Sequence, residues 1–107
     1  MRKLLELNPP PDGVFCYNDP GALGVMRAAL EAGLDVPGNL AIIGCGNVHY
    51  AEYLRIPLSS IDQQEKSIGE QAAELALTLV GSRQAGRAPR SIVLEPRLVA
   101  RRSSVRS

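Results

Sequence analysis

The sequence has few of the residues from which many binding and catalytic sites are built. Among its 107 residues there is no tryptophan, one phenylalanine and three tyrosines, which argues against a surface that stacks bases or sugar rings on aromatic side chains. It has one histidine and two cysteines. Cys16 and Cys45 lie in apolar or glycine-rich segments without CxxC spacing. This pattern predicts neither a metal site nor a disulfide framework, and it favours a reducing, cytoplasmic setting.

The chain also lacks an excess of either charge. Twelve lysines and arginines face eleven acidic residues, which leaves a formal charge of +1, so no overall basic field would attract nucleic acid or an anionic membrane. The apolar run near Met1 is too short for a secretory signal, and no later run approaches membrane-spanning length. A hydrophobic content of 45% is enough for one small core, so we expect one domain or less.

Short apolar segments alternate with segments of helical periodicity. Gly13–Tyr17, Leu40–Gly44 and Leu58–Ile61 predict strands, the first of them buried on both faces. Residues 20–32 and 64–81 predict helices. The strand–helix–strand order implies a right-handed crossover between parallel neighbours. The predicted fold class is therefore α/β with a parallel sheet.

Aspartates mark the start of both predicted helices. Asp19 precedes Pro20, and Asp62 stands three residues before Glu65, so both aspartates are predicted to be helix caps. Residues 45–57 predict a long loop with one helical turn.

The last part of the chain predicts two further strands and a loose end. Ser91–Glu95 and Arg97–Arg101 are interpreted as strands separated by Pro96, and the tail from Arg102 to Ser107 is expected to fray.

Polar groups follow each of the first three strands. They are Asn18 and Asp19, then Gly46 and Asn47, then Asp62 and Gln63, and in open parallel sheets ligands bind beyond the carboxyl ends of the strands. Amides and carboxylates together can satisfy the hydroxyl groups of a polyol or the polar groups of a small amide. The alternative is that Asp19 and Asp62 are only helix caps, which is the interpretation adopted for these two, and that Asn18, Asn47 and Gln63 are turn residues.

The sequence gives little support for catalysis. Gly44-Cys-Gly46 follows a strand but lacks a third glycine, so a dinucleotide site is not predicted. Cys45 and His49 could be imagined as a Cys–His pair, but no orienting partner is evident. The prediction is a protein that is not an enzyme, with no catalytic residue, no cofactor and no metal ligand.

Five segments, in order, resemble the final third of a LacI/GalR-family transcriptional regulator. Their order and spacing run through about nine-tenths of the chain, and they are Phe15–Gly24, Arg27–Pro37, Leu40–Gly44, Pro57–Gln63 and Pro96–Ser104. The resemblance implies a type I periplasmic-binding-protein-like fold of two α/β subdomains, of which residues 1–107 would be the C-terminal segment. It implies that helix 64–81 belongs to the other subdomain and that a DNA-binding headpiece lies outside this chain.

The resemblance also assigns effector-binding residues. It implies that Asn18 and Gln63 line a cleft that binds a small effector. Where relatives have an acidic residue after the second strand, this chain has Gly46 followed by Asn47, and Glu65 could supply an acid instead. These five residues are the predicted effector site.

The implied partners are a sugar- or polyol-like effector, a second copy of the chain, and operator DNA contacted only through the absent headpiece. Leu23 and Met26 match the region through which relatives dimerise, and no membrane partner is expected. The alternative is a fragment of a periplasmic sugar-binding protein of a transport system, which shares the fold.

Overall fold

The computed structural model describes residues 1–81 and 90–106. Its helices are α1 (Arg2–Leu5), α2 (Asp19–Glu31) and α3 (Glu65–Gly81), with a short 3-10 turn at Ala51–Tyr53. Its strands are β1 (Gly13–Phe15), β2 (Ala41–Cys45), β3 (Ser59–Asp62) and β4 (Arg97–Val99). The predicted α/β class is confirmed, as is the single helical turn in the loop after β2.

The four strands form one mostly parallel sheet in the order β1-β2-β3-β4. β1 and β3 both run parallel to β2, with Val14 opposite Ile42 and Gly44 opposite Ser60. β4 is antiparallel to β3, and Arg97 lies opposite Asp62. The carboxyl ends of the first three strands therefore meet at one edge, which is where ligands bind in sheets of this kind.

Helix α2 packs one side on the sheet. Ala22, Met26 and Ala29 recur at helical spacing and are buried, where they meet Leu40 and Ile42 from the β2 segment and Leu58 before β3. Burying such apolar side chains stabilises the fold by about 25 cal/mol for each Å² removed from water.

The helix caps differ from the prediction. Asn18, rather than Asp19, caps α2, and its Oδ1 accepts a hydrogen bond of 2.7 Å from the Gly21 amide. Asp62 accepts from the Gln64 amide two residues later, while α3 begins only at Glu65. Asp62 thus closes an Asx turn ahead of the helix. The capping prediction is wrong for both aspartates, because their carboxylates are engaged by other groups.

Two strand predictions also need correction. β1 is not buried on both faces, since Phe15 is 65% exposed and β1 has only β2 as a paired neighbour. Ser91–Glu95 is not a strand in this structure. Apolar side chains of that segment instead lie beside α3, around a shallow depression that Ile68 and Leu75 share.

The tail is ordered through Ser103, which contradicts the expected fraying. Ser103 is fully buried; its hydroxyl accepts from the Ser59 amide at 2.8 Å and donates to the Ile42 carbonyl at 2.6 Å. Its own carbonyl accepts from the Ile42 amide, and its amide donates to the Pro57 carbonyl. Ser103 therefore fills the gap between β2 and the residues that lead into β3.

The described part of the chain is elongated, with a Cα radius of gyration of 19.2 Å, whereas a compact domain of about 100 residues has roughly 13 Å. Helix α3 has no buried residue, so much of its apolar surface faces solvent. None of the helices in the described residues combines the length and the apolar character needed to cross a membrane.

Candidate functional site

The loop after β2 is bent by two unusual backbone conformations. Gly46 has φ +117 and Asn47 has φ 50, and only glycine adopts the first without strain. Asparagine is among the residues that tolerate the second. This bend turns the Asn47 amide towards β3, where it donates to the Ser60 hydroxyl at 2.9 Å.

Asp19, the first residue of α2, holds the same loop in place. It is fully buried, and its two oxygens accept from the Val48 amide at 2.8 Å and from the Ser60 hydroxyl at 2.6 Å. A Cβ at Gly44 would lie 2.2 Å from Asp19 Oδ1, so the carboxylate packs directly on the backbone of β2. Asp19 is therefore a structural anchor for the loop that bears Gly46 and Asn47.

The Asn47 side chain joins Arg101, two residues beyond β4, to Asp62 at the end of β3. Its Oδ1 accepts from Arg101 Nη2 at 2.8 Å, and its Nδ2 donates to Asp62 Oδ2 at 3.3 Å. Arg101 Nη1 in turn donates to the Leu58 carbonyl at 2.7 Å. Three segments that are distant in sequence are thus fixed around one amide.

A polar depression of about 270 Å³ opens at this edge of the sheet. Gly46 and Asn47 line it, together with Glu65, so three of the five predicted effector residues come together. The remaining lining residues were not predicted as ligand-binding: Asp62, Gln64, Lys66, Ser67 and Arg97. Two carboxylates and two cations in one depression can accept from and donate to a hydroxyl-rich ligand.

Asn18 and Gln63 are outside this lining. Both are exposed, and the Asn18 oxygen is occupied by its cap on Gly21. Gln64, one residue further along, reaches into the region and donates from its side chain to the Glu95 carbonyl. Asn18 and Gln63 stay predictions as effector ligands.

The sequence offered one signal for the missed residues. Arg97 faces Asp62 across the β3–β4 pair, and opposite charges at paired positions of antiparallel strands are favourable. Finding this pair requires the register, which the sequence pattern alone does not supply.

Cys16 is a free and buried cysteine. Burial, and then the neighbouring Asp19 carboxylate, raise the pKa of the Cys16 thiol, which keeps it in the unreactive protonated form at neutral pH. His49 is exposed. Its ring packs edge-to-face with that of Tyr50, and the two ring centroids are 5.3 Å apart. Within residues 1–81 and 90–106, His, Cys, Asp and Glu form no group of three or more that could hold a metal ion.

The expected dimer residues divide between core and surface. Met26 is 7% exposed and packs in the core, so its assignment to a dimer interface is corrected: the side chain is already covered by the sheet of its own chain. Leu23 is half-buried and stays a prediction.

The Gly46 conformation allows a direct test. Gly46→Asp is expected to destabilise the protein by about 1–3 kcal/mol, because an L-residue is strained at φ +117. The new side chain would also start 3.9 Å from Asp19 Oδ2, so two carboxylates would approach each other. Chemical denaturation measures the loss.

The matched control is Gly24→Asp on α2, where a Cβ meets nothing within 4 Å. A Gly46→Asp protein as stable as the control would show that the loop relaxes to ordinary backbone angles. The resemblance described above places an acidic residue of relatives at this position, which would favour tighter ligand binding in Gly46→Asp. The positive φ of this glycine argues against that gain.

The chain is similar to known regulators over almost all of its length. A family profile described as periplasmic binding protein-like domain matches residues 1–104. The HTH-type transcriptional repressor PurR of Actinobacillus pleuropneumoniae serotype 3 (strain JL03) is 36% identical over 103 residues, which are 96% of this chain and 31% of the repressor. The chain thus spans less than a third of this curated relative.

Two solved structures with sugars show the same architecture. The transcriptional regulator CelR in complex with cellobiose matches with a TM-score of 0.86 and 29% identity, over 96% of this chain and 31% of that one. A LacI family transcriptional regulator from Arthrobacter sp. FB24 in complex with lactose matches with a TM-score of 0.83 and 32% identity, over 97% of this chain and 38% of that one.

Proposed function

Because this chain belongs to the family of periplasmic binding protein-like domains found in LacI-type regulators, we propose that it is an effector-sensing segment of such a regulator. In this proposal the polar edge of the sheet is one wall of a cleft that binds a small sugar-like molecule. Binding would change the affinity of the whole regulator for DNA through a headpiece outside this chain, in the manner of a ligand that favours one of two conformations.

The depression at the carboxyl edge is the observation that carries the proposal. Its volume, about 270 Å³, is slightly below the roughly 300–1,000 Å³ of complete ligand pockets, as expected for one wall of a cleft. Its lining of carboxylate, amide, ammonium and guanidinium groups offers acceptors and donors to hydroxyl groups. Two relatives of the same architecture were solved with disaccharides.

The surroundings of α3 support a second subdomain. Helix α3 has no buried residue. Its apolar side chains Leu77, Leu79 and Val80 are each more than 60% exposed. Exposed apolar surface of this extent is a mark of an interaction site. We therefore assign residues 64–81 to the other half of the parent domain, which would cover this face.

The proposal includes a homodimer that uses the outer side of α2. Leu23 is half-buried and Leu30 is 44% exposed, so apolar surface is available there for a second copy. A regulator is favoured over a transport protein because the curated relative described above is a repressor.

Calorimetry and thermal-shift measurements on the whole protein that carries this chain test the proposal. Cellobiose, lactose and glucose are the probes, and a sugar at a hundredfold its Kd adds about 2.7 kcal/mol of apparent stability. Glu65→Gln is expected to weaken sugar binding by about tenfold, because a charge-assisted hydrogen bond becomes a neutral one. Asn18→Ala and Gln63→Ala test the two residues outside the depression.

The matched control is Glu31→Gln, which changes an exposed carboxylate at the far end of α2 and should leave sugar binding unchanged. The proposal is contradicted when none of the three sugars binds. Equal affinity in the control and in the Glu65, Asn18 and Gln63 variants would exclude those three residues from the effector site.

A further inference from the structure

A continuous series of hydrogen bonds leads from Arg101 to the ligand-facing edge. Arg101 Nη1 is held by the Leu58 carbonyl at 2.7 Å, and its Nη2 donates to Asn47 Oδ1 at 2.8 Å. Asn47 Nδ2 then donates to Asp62 Oδ2 at 3.3 Å. Arg101 and Asn47 are both half-buried, so these bonds form in a partly desolvated environment, where they are stronger than in water.

Arg101 fixes which way round the Asn47 amide lies. A guanidinium can only donate hydrogen bonds, so the Asn47 oxygen must face Arg101. The NH₂ group of Asn47 must then face Asp62, where it meets an ionised carboxylate that can only accept. Without Arg101 the Asn47 side chain would keep only its 3.3 Å hydrogen bond to Asp62, so it would be free to swing away and would hold that carboxylate less firmly.

Asp62 keeps acceptor capacity for a ligand. Its Oδ1 accepts from the Gln64 amide at 2.7 Å and its Oδ2 accepts from Asn47. A carboxylate has about four acceptor positions, so roughly one remains on each oxygen. Asp62 is half-buried and lines the depression. Two fixed oxygens side by side can accept from two neighbouring hydroxyl groups.

Gly46 offers no side chain at this edge, and its backbone is strained for any other residue. We propose that Asp62 supplies the carboxylate that binds the ligand's hydroxyl groups in this chain, and that Arg101 is a positioning residue that holds Asp62 through Asn47. This inference rests on the proposed sugar-sensing function. It assigns the hydroxyl-binding acid to the end of β3 rather than to the loop after β2.

Affinity for cellobiose, lactose and glucose is measured on the whole protein that carries the chain. Asp62→Asn keeps an oxygen for the Gln64 amide but removes the charge, and it should lower affinity by about tenfold or more. Arg101→Met should lower sugar affinity by a factor similar to that of Asp62→Asn, although the Arg101 side chain does not itself contact the ligand in this proposal. In the double variant the two losses should not add, because both act on the same carboxylate.

Exchanging the amide and the carboxylate between positions 47 and 62 separates the effect of the carboxylate's position on binding from an effect on folding. Asn47→Asp combined with Asp62→Asn keeps one carboxylate and one amide in contact, and the carboxylate now faces Arg101. The swapped protein should therefore be close to wild type in stability but should lose most of its sugar affinity. Arg102→Met is the matched control for Arg101, since Arg102 is exposed and lines a groove beside Leu30 and Ile56, away from the depression.

A ligand-independent measurement tests the positioning step. In NMR spectra of protein labelled with ¹⁵N-asparagine, the side-chain NH₂ signals of Asn47 should shift in Arg101→Met, and the NH₂ hydrogens should exchange faster with water. Neither change should occur in Arg102→Met. Unchanged signals would overturn the positioning role. Unchanged sugar affinity in Asp62→Asn would overturn its role as ligand. If the wild type binds none of the three sugars, the proposed function and the Asp62 assignment both fall, while the NMR result still decides whether Arg101 orients Asn47.

Discussion

Replacing Asp19 with alanine is expected to lower the free energy of unfolding by about 3–5 kcal/mol, since two hydrogen bonds to a charged group are lost at roughly 1.5–3 kcal/mol each. The Val48 amide and the Ser60 hydroxyl would lose their acceptor inside the protein. Natural domains have a total stability of about 5–15 kcal/mol, so most of the margin would disappear. Urea denaturation monitored by circular dichroism measures the change.

Asp12→Ala is the matched control, because Asp12 is exposed and lies 3.8 Å from an arginine nitrogen. Exposed ion pairs of this kind contribute little, and its midpoint of denaturation should stay near that of the wild type. Equal midpoints for the two alanine variants would show that the loop after β2 does not depend on Asp19. Gly44→Ala should reproduce part of the Asp19 effect, since the added methyl group would collide with the Asp19 carboxylate.

Ser103→Val is the second substitution that is expected to lower the free energy of unfolding strongly. Valine can neither donate nor accept a hydrogen bond, so the Ser59 amide and the Ile42 carbonyl would lose their partner. It is also larger than serine, and its extra methyl group would have to fit a fully buried position. Residues 42, 59 and 103 are fully buried, which leaves no water to replace the hydroxyl. We expect a loss of about 2–4 kcal/mol, at roughly 1–3 kcal/mol for each buried group left unsatisfied.

The same substitution at Ser91, which is exposed, controls for the intrinsic effect of valine. Thermal and urea denaturation of the two variants should differ clearly, with Ser91→Val close to wild type. A Ser103→Val protein that unfolds together with the control would mean that the tail is not part of the folded sheet.

Local signals allowed most elements to be predicted. Helix α2 was predicted within a residue or two, because Pro20 near its start, the apolar spacing of Ala22, Met26 and Ala29, and Gly33 after its end are all local in sequence. β2 and β3 were predicted within about one residue for the same reason. The parallel pairing of β1 with β2 followed from the strand–helix–strand order of these segments.

Long-range pairing explains the misses. Phe15 sits in an apolar run that resembles a doubly buried strand, yet it is exposed because it is not part of the core that α2 forms with the sheet. Ser103 belongs to an Arg- and Ser-rich segment that looks like a loose end, and it is buried only because it meets residues 61 positions earlier in the chain. A local pattern carries no information about such contacts.

The candidate site was half predicted for a related reason. Gly46 and Asn47 follow a strand directly, so the general position of sites in parallel sheets located them. Asp62 was taken for a cap because its D-x-x-E pattern is a local cap signal. Its real partners include Asn47 and, through Asn47, Arg101, which lies 54 positions beyond Asn47.

The position of Ser103 has a consequence for how this chain is made. Ribosomes synthesise β2 and β3 well before residue 103, so the backbone amides of Ile42 and Ser59 leave the exit tunnel without their eventual partners. Until residue 103 has been released, β2 can pair with β1 but its junction with β3 stays open to water. This part of the sheet is therefore completed only after a segment 61 residues beyond Ile42 has been made, and a translational pause before residue 103 would leave a nascent chain with an unfinished core.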